Sequence, residues 1–226
     1  MQTQTLLETL LIRHGESKYT GKGLDLTPEG VKQAKTTAKE HVATWLTRRG
    51  ITEQELVISS SPAPRARGTA LLIRKHVPIK KRLQVVPALG PMAWRNPEEC
   101  IKALKGLSGR GYIDYETEPI FADPKLFETP SEMSVRWYTF FADLIRKAQL
   151  GKVLRHRMLF SHYEVFCHVV FDLFGIVASE ATALKNAEPI SLSVEAGGDP
   201  RYVVVTGWFR GKMARNVFDL ANCRFL

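Results

Sequence analysis

Near the start of the chain, Arg13, His14 and Gly15 stand together directly after the apolar run Thr9-Leu10-Leu11-Ile12. Imidazole is one of the few side chains able to form a covalent intermediate by attacking phosphorus. A guanidinium holds two phosphate oxygens in one planar grip. A glycine beside them allows the backbone to approach a bound group closely. An Arg-His pair alone carries little weight, because the chain has six histidines. Two other segments add to it. Arg65 stands one turn after Ser61, at a helix start that follows the apolar run ending in Ser60. A helix N-terminus itself attracts anions. His162 follows Met158-Leu159-Phe160-Ser161, and Glu164 lies two residues on. Histidines and arginines at strand exits could together move a phosphoryl group, a reaction in which positioning and preorganised positive charge do most of the catalysis.

Elements able to bring these residues together are legible around them. Leu6 to Ile12 reads as a buried strand. Thr27-Pro28 reads as an N-cap followed by proline at the first helical position. Val31, Ala34, Ala38, Val42 and Trp45 then recur at helical spacing until Gly50. Leu56 to Ser60, Gln84 to Leu89 and Arg157 to Ser161 read as further strands. Thr129-Pro130-Ser131-Glu132 is a capping-box signature ahead of a long helix carrying Trp137, Phe141 and Leu144. Ile190 to Val194 and Tyr202 to Val205 read as a strand pair across Gly197-Gly198-Asp199-Pro200. Strands alternating with helices predict a three-layer α/β/α sandwich with a mostly parallel central sheet. In such sheets the ligand crevice lies beyond the carboxyl ends of the strands, where Arg13, His14, Arg65 and His162 all fall.

Composition narrows the class. The chain has 226 residues, enough for one well-buried core, so a single domain spanning 1–226 is expected. No apolar run approaches membrane-spanning length, and the N-terminus lacks secretory-signal features. Three widely spaced cysteines fit a reducing, cytoplasmic compartment better than a disulfide framework or a zinc site. Lys and Arg number 32 against 23 Asp and Glu, a net charge of +9. That excess suits a small anionic substrate. The basic residues are scattered and no nucleic-acid-binding motif appears, so nucleic acid is not expected as a partner. Neither a membrane partner nor a metal or other cofactor is expected. The oligomeric state stays open, a homo-oligomer included.

Four motifs in order resemble the histidine phosphatase superfamily, the phosphoglycerate-mutase-like family. They are Leu11-Ile12-Arg13-His14-Gly15-Glu16-Ser17, Leu26-Thr27-Pro28-Glu29-Gly30, Ser60-Ser61-Pro62-Ala63-Pro64-Arg65-Ala66 and Phe160-Ser161-His162. The resemblance implies a phosphoglycerate-mutase-like fold in which His14 is the nucleophile and becomes phosphorylated. It implies that Arg13 and Arg65 clamp the phosphoryl oxygens and that His162 completes the pocket. It places Ser17 and Thr20 where relatives set small polar residues against phosphate, although Thr20 stands where asparagine is commoner. It is weakest between about 91 and 130, which reads as a cap or lid insertion.

Two departures matter. Many relatives carry a glutamate two residues after the leucine ending the third strand, as proton donor to the leaving alkoxide, and here Pro91 occupies that place. A proline transfers no protons. The second-histidine motif reads His162-Tyr163-Glu164, a spacing similar to a branch of the superfamily in which the glutamate is the acid. Glu164 is therefore the candidate acid, with Glu98 and Glu99 more simply read as an acidic first helical turn. The preferred function is a metal-independent phosphatase acting on a phosphomonoester through a phosphohistidine. A phosphoglycerate-type mutase and a non-catalytic phosphate-binding relative lacking the usual acid stay open as alternatives.

Overall fold

The computed structural model describes residues 4–18, 25–77, 79–107, 114, 115 and 117–226. Its centre is an eight-stranded sheet of β1 (Thr5–Arg13), β2 (Leu56–Ser60), β3 (Gln84–Val85), β4 (His156–Ser161), β5 (Pro189–Ala196), β6 (Tyr202–Phe209), β7 (Lys212–Asp219) and β8 (Arg224–Phe225). The spatial order is β3-β2-β4-β1-β5-β6-β7-β8. β1 to β4 pair in parallel, and β5 to β8 continue the sheet in antiparallel fashion. Following those pairings, only β5 and β7 run against the other strands. The mixed α/β sandwich thus has the expected class, with a sheet that is mostly but not purely parallel.

Period-two patterning explains the layering. On β1, Leu10 and Ile12 face one side with Met158 and Phe160 of β4. Leu7 and Leu11 face the other side with Leu159. The first face is covered by α1 (Pro28–Thr37), α2 (Ala43–Arg49) and α3 (Pro64–His76). The second is covered by α5 (Pro130–Gln149) and α6 (Tyr163–Phe174), which supply Trp137, Phe141, Phe166 and Val170. Residues buried on both sheet faces read as continuous apolar runs, which is why β1 and β4 are conspicuous in the sequence.

Local signals hold where local chemistry sets the boundary. Thr27 accepts from Gly30 N, Pro28 follows it, and Gly50 closes the helical stretch in the left-handed conformation. Thr129 and Glu132 form the capping box of α5. The stretch between Thr27 and Gly50 is interrupted by a π turn at Ala38–Val42. The third strand is shorter than expected: it stops at Val85, because Pro87 has no N–H to donate and opens a 3-10 turn, Pro87–Leu89. β7 and β8 are additional; Lys212-Met213-Ala214-Arg215-Asn216 shows no apolar alternation.

The 91–130 segment carries α4 (Pro97–Lys105) and a 3-10 turn at Pro119–Ala122. Met92, Cys100, Leu107, Phe121 and Phe127 pack with Met133 into a small core of their own. Trp94 meets Phe127 edge-on. No helix among the described residues is long and apolar enough to cross a membrane.

Candidate active site

Parallel pairing brings the strand exits level. Arg13 pairs with Ser161 and Ser60 with Phe160. The ladder runs one bond further on each side of β4: His14 N donates to Ser161 O and Ser61 N to Phe160 O, each at 2.9 Å. His14, Ser61 and His162 therefore leave the sheet side by side. The rings of His14 and His162 lie 5.1 Å apart between centroids. Arg65, in the first turn of α3, donates its Nε–H to His14 Nε2 at 3.2 Å. Arg13 stacks its guanidinium on the Tyr163 ring at 5.4 Å and donates to the Leu184 carbonyl. The four residues predicted to converge do converge.

The hydrogen bonds set the state of each imidazole. His14 Nδ1 lies 2.7 Å from Gly15 O, a carbonyl that can only accept. The proton therefore sits on Nδ1 and the Nε2 lone pair faces Arg65. His14 is 4 % exposed. Burial holds its pKa down at about 3; the Gly15 carbonyl pulls it up by less than that, and the Arg65 and then Arg13 charges push it further down. His162 is wholly buried and its Nε2 lies 2.7 Å from Ser61 Oγ. Its Nδ1 has no partner among the described residues. Burial, followed by Arg65, His14, Arg13 and Arg136, keeps His162 well below its usual pKa. Both rings are neutral near pH 7, flanked by cationic guanidiniums.

Glu164, in the first turn of α6, is buried at 8 % exposure, and its Oε1 accepts from Met92 N at 3.3 Å. Its carboxyl thus lies beside the residue following Pro91. Glu98 and Glu99 occupy the first turn of α4, where Glu99 pairs with Lys102. Glu16 is engaged away from the cluster, accepting from Thr27 Oγ1 at 2.7 Å. Ser17 forms a backbone bridge with Leu26, and no hydrogen bond among the described residues ties it to the four-residue cluster. Thr20 lies outside the described residues.

Gly15 has a packing reason of its own. A Cβ at Gly15 would stand 2.7 Å from Gly30 O, and one at Gly30 would land on the Glu16 carbonyl. The two glycines let the loop after β1 lie against α1. The close approach seen at Gly15 is backbone to backbone. Thr69 completes the clamp: Gly15 N donates to Thr69 Oγ1 at 2.9 Å, and that hydroxyl donates to Arg65 O at 2.8 Å.

Three positioning groups escaped the sequence reading: Ser61, Thr69 and Arg136. Arg136, on α5, donates to Ala88 O at 2.6 Å, Gly90 O at 3.1 Å and Pro91 O at 3.4 Å. It also holds both oxygens of Glu128. Ser161 Oγ donates to Leu89 O at 2.7 Å. The loop carrying Pro91 is thereby tied to both β4 and α5. Thr69 was recoverable in principle, one helical turn after Arg65, but nothing local marks Arg136.

A neutral imidazole whose Nε2 lone pair faces a guanidinium, at the carboxyl edge of the parallel strands of a mixed sheet, places this chain among α/β proteins with a basic cluster at their strand exits. The model of the histidine phosphatase superfamily (branch 1) matches residues 9–206, and the chain belongs to that superfamily. Among curated proteins there is no significant match. A phosphoglycerate mutase from Bacillus anthracis shares the fold at TM-score 0.56 and 16% identity, covering 98% of this chain and 96% of its own. A mycobacterial glucosyl-3-phosphoglycerate phosphatase does so at TM-score 0.53 and 17% identity, over 94% and 97% of the two chains. The complex of that phosphatase with inorganic phosphate matches at TM-score 0.53 and 18% identity, over 83% of this chain and 90% of its own.

Proposed function

We propose that this protein is a metal-independent phosphatase that hydrolyses a phosphomonoester through a phosphohistidine on His14. The observation carrying this reading is the tautomer of His14: Nδ1–H donates to Gly15 O, which leaves Nε2 with a lone pair, 3.2 Å from Arg65 Nε. An arriving phosphate dianion replaces that lone pair as acceptor for Arg65 and exposes Nε2 to phosphorus. Membership in a superfamily of phosphatases and mutases, and a fold shared with a phosphatase and a mutase, support the same class. Three widely spaced cysteines support a cytosolic setting.

The chemistry runs in two displacements. His14 Nε2 forms a bond to phosphorus while the P–O bond to the alcohol breaks, and the departing oxygen takes a proton from the Glu164 carboxyl. Water then attacks the phosphohistidine and gives a proton back to Glu164. The P–N bond breaks and its electrons return to Nε2. Arg13 and Arg65 hold the equatorial oxygens as charge spreads over them. Ser61 Oγ accepts from Ala63 N at 3.1 Å, so its own hydrogen is free to donate to His162 Nε2. That leaves an N–H on the partnerless Nδ1, a buried donor that a phosphate oxygen would satisfy.

Glu164 takes the acid's place because its carboxyl, through Met92 N, reaches the segment where relatives place theirs. The test is a single-turnover assay with p-nitrophenyl phosphate, followed by mass analysis of His14-containing peptides. A phosphate adduct on His14, absent in His14→Ala, is expected. Phosphate binding with no release from any ester would overturn the reading in favour of a non-catalytic relative.

A further inference from the structure

Two of the groups that Arg13 touches, Tyr163 and Leu184, also line a cavity of about 210 Å3 that the chemistry above does not use. The Tyr163 ring carries the Arg13 guanidinium, and the Leu184 carbonyl accepts from Arg13. Cys167, Val170 and Phe171 of α6 and Ala178 beyond it make up much of the remaining wall. Phe171 and Val177 are 54% and 69% exposed, so the cavity opens to solvent beside them. Its polar lining is small: Thr117 Oγ1 donates to Asp114 Oδ2 at 2.8 Å, and Thr182 Oγ1 donates to the Val177 carbonyl at 2.7 Å.

These features select a ligand class. An ester whose phosphoryl group is held at Arg13 has its alcohol arm one side chain away from this space. A sugar or polyol arm there would lose water from its hydroxyls and find few partners. An apolar arm would lose only unfavourable hydration. Apolar cavities of about 150 Å3 accept a benzene ring. We propose that this cavity is the leaving-group subsite, and that the substrate is a phosphomonoester of an apolar alcohol bearing an aromatic ring or a compact branched chain. The inference rests on the phosphatase reading and sharpens it.

The test uses phosphonates, which cannot be hydrolysed, so its outcome is separate from that of the catalytic proposal. Dissociation constants of methylphosphonate and phenethylphosphonate are measured by calorimetry on the full chain. Phenethylphosphonate should bind about tenfold tighter or better, a difference of the size expected for burying one ring. Ala178→Trp, which fills the cavity, should abolish that gain while leaving methylphosphonate binding unchanged, and this second ligand also reports a folded site. Phe171→Ala, at an exposed wall, should cut the gain by about threefold. Equal affinities in the wild-type protein, or a gain that survives Ala178→Trp, would overturn the subsite and leave the histidine chemistry standing. Conversely, a phenethyl gain in a protein that never phosphorylates His14 would keep the subsite and sink the phosphatase.

Discussion

Arg65 donates to His14 Nε2 across 3.2 Å, so in the proposed chemistry the guanidinium that grips the anion is the same one that holds the attacking nitrogen. On that proposal, substrate entry and release of the His14 lone pair are one event. Arg65→Lys keeps the charge but loses the fork, and Arg65→Ala loses both. kcat should fall about 100- to 1000-fold in Arg65→Ala, the usual cost of one charge-stabilising donor. Arg65→Lys should recover only part of that loss, because a point charge cannot bridge His14 and two oxygens. Steady-state kinetics with p-nitrophenyl phosphate checks both.

Glu164 and Pro91 form a second linked pair. If the carboxyl on α6 replaces the one missing at 91, Glu164→Gln should slow hydrolysis of alkyl phosphates by about 100-fold or more. It should barely affect p-nitrophenyl phosphate, whose leaving group needs no proton. Adding Pro91→Glu to Glu164→Gln should restore part of the alkyl phosphate rate. A Glu164→Gln enzyme equally slow on both esters would mean that the residue shapes the fold without supplying a proton.

Burial and two neighbouring guanidiniums depress the His14 pKa from 6.5 to about 3. His162 is depressed in the same direction. As pH falls below 6.5, the unfolded chain takes up protons at both histidines that the native site refuses. More protons then bind the unfolded state, so stability must fall with falling pH across that window. The slope contributed by each group is at most about 1.4 kcal/mol per pH unit. Urea midpoints between pH 7 and pH 4 should show the fall, and His14→Asn should flatten it. In the free enzyme, the limb of kcat/KM that reports His14 should lie far below pH 6.5.

The contact between Gly15 and Gly30 leaves no room for a side chain on either. Gly30→Ala should cost about 2–3 kcal/mol through overpacking, and lower kcat as well, since the displaced loop carries His14. Gly198→Ala is the control, because a Cβ there meets nothing within 4 Å. Urea unfolding and a phosphatase assay on the two variants separate the effects.

Much of this molecule was readable from its order of residues because the decisive forces were local. Leu7 and Leu11 against Leu10 and Ile12 declare a strand buried on both faces. Thr27-Pro28 and Thr129-Pro130-Ser131-Glu132 declare helix starts, since a cap needs only the next three residues. His14, Arg65 and His162 could be expected at one edge because exits of parallel strands share an edge. The short β3, the π turn at Ala38–Val42 and the polar strand β7 had no such local signature.

The chain's linear pattern determined which imidazoles and guanidiniums stand at strand exits, because strand and turn chemistry are properties of neighbouring residues, and the family resemblance implied that they meet. Tertiary packing alone decided how they meet: how Arg65 comes to face His14 Nε2, how Arg136 pins the loop of Pro91, how Glu164 comes to lie beside Met92, and that a cavity opens beside Tyr163. Those relations join groups dozens of residues apart. Their energies depend on distance and burial, which exist only once the sheet has brought its edges together.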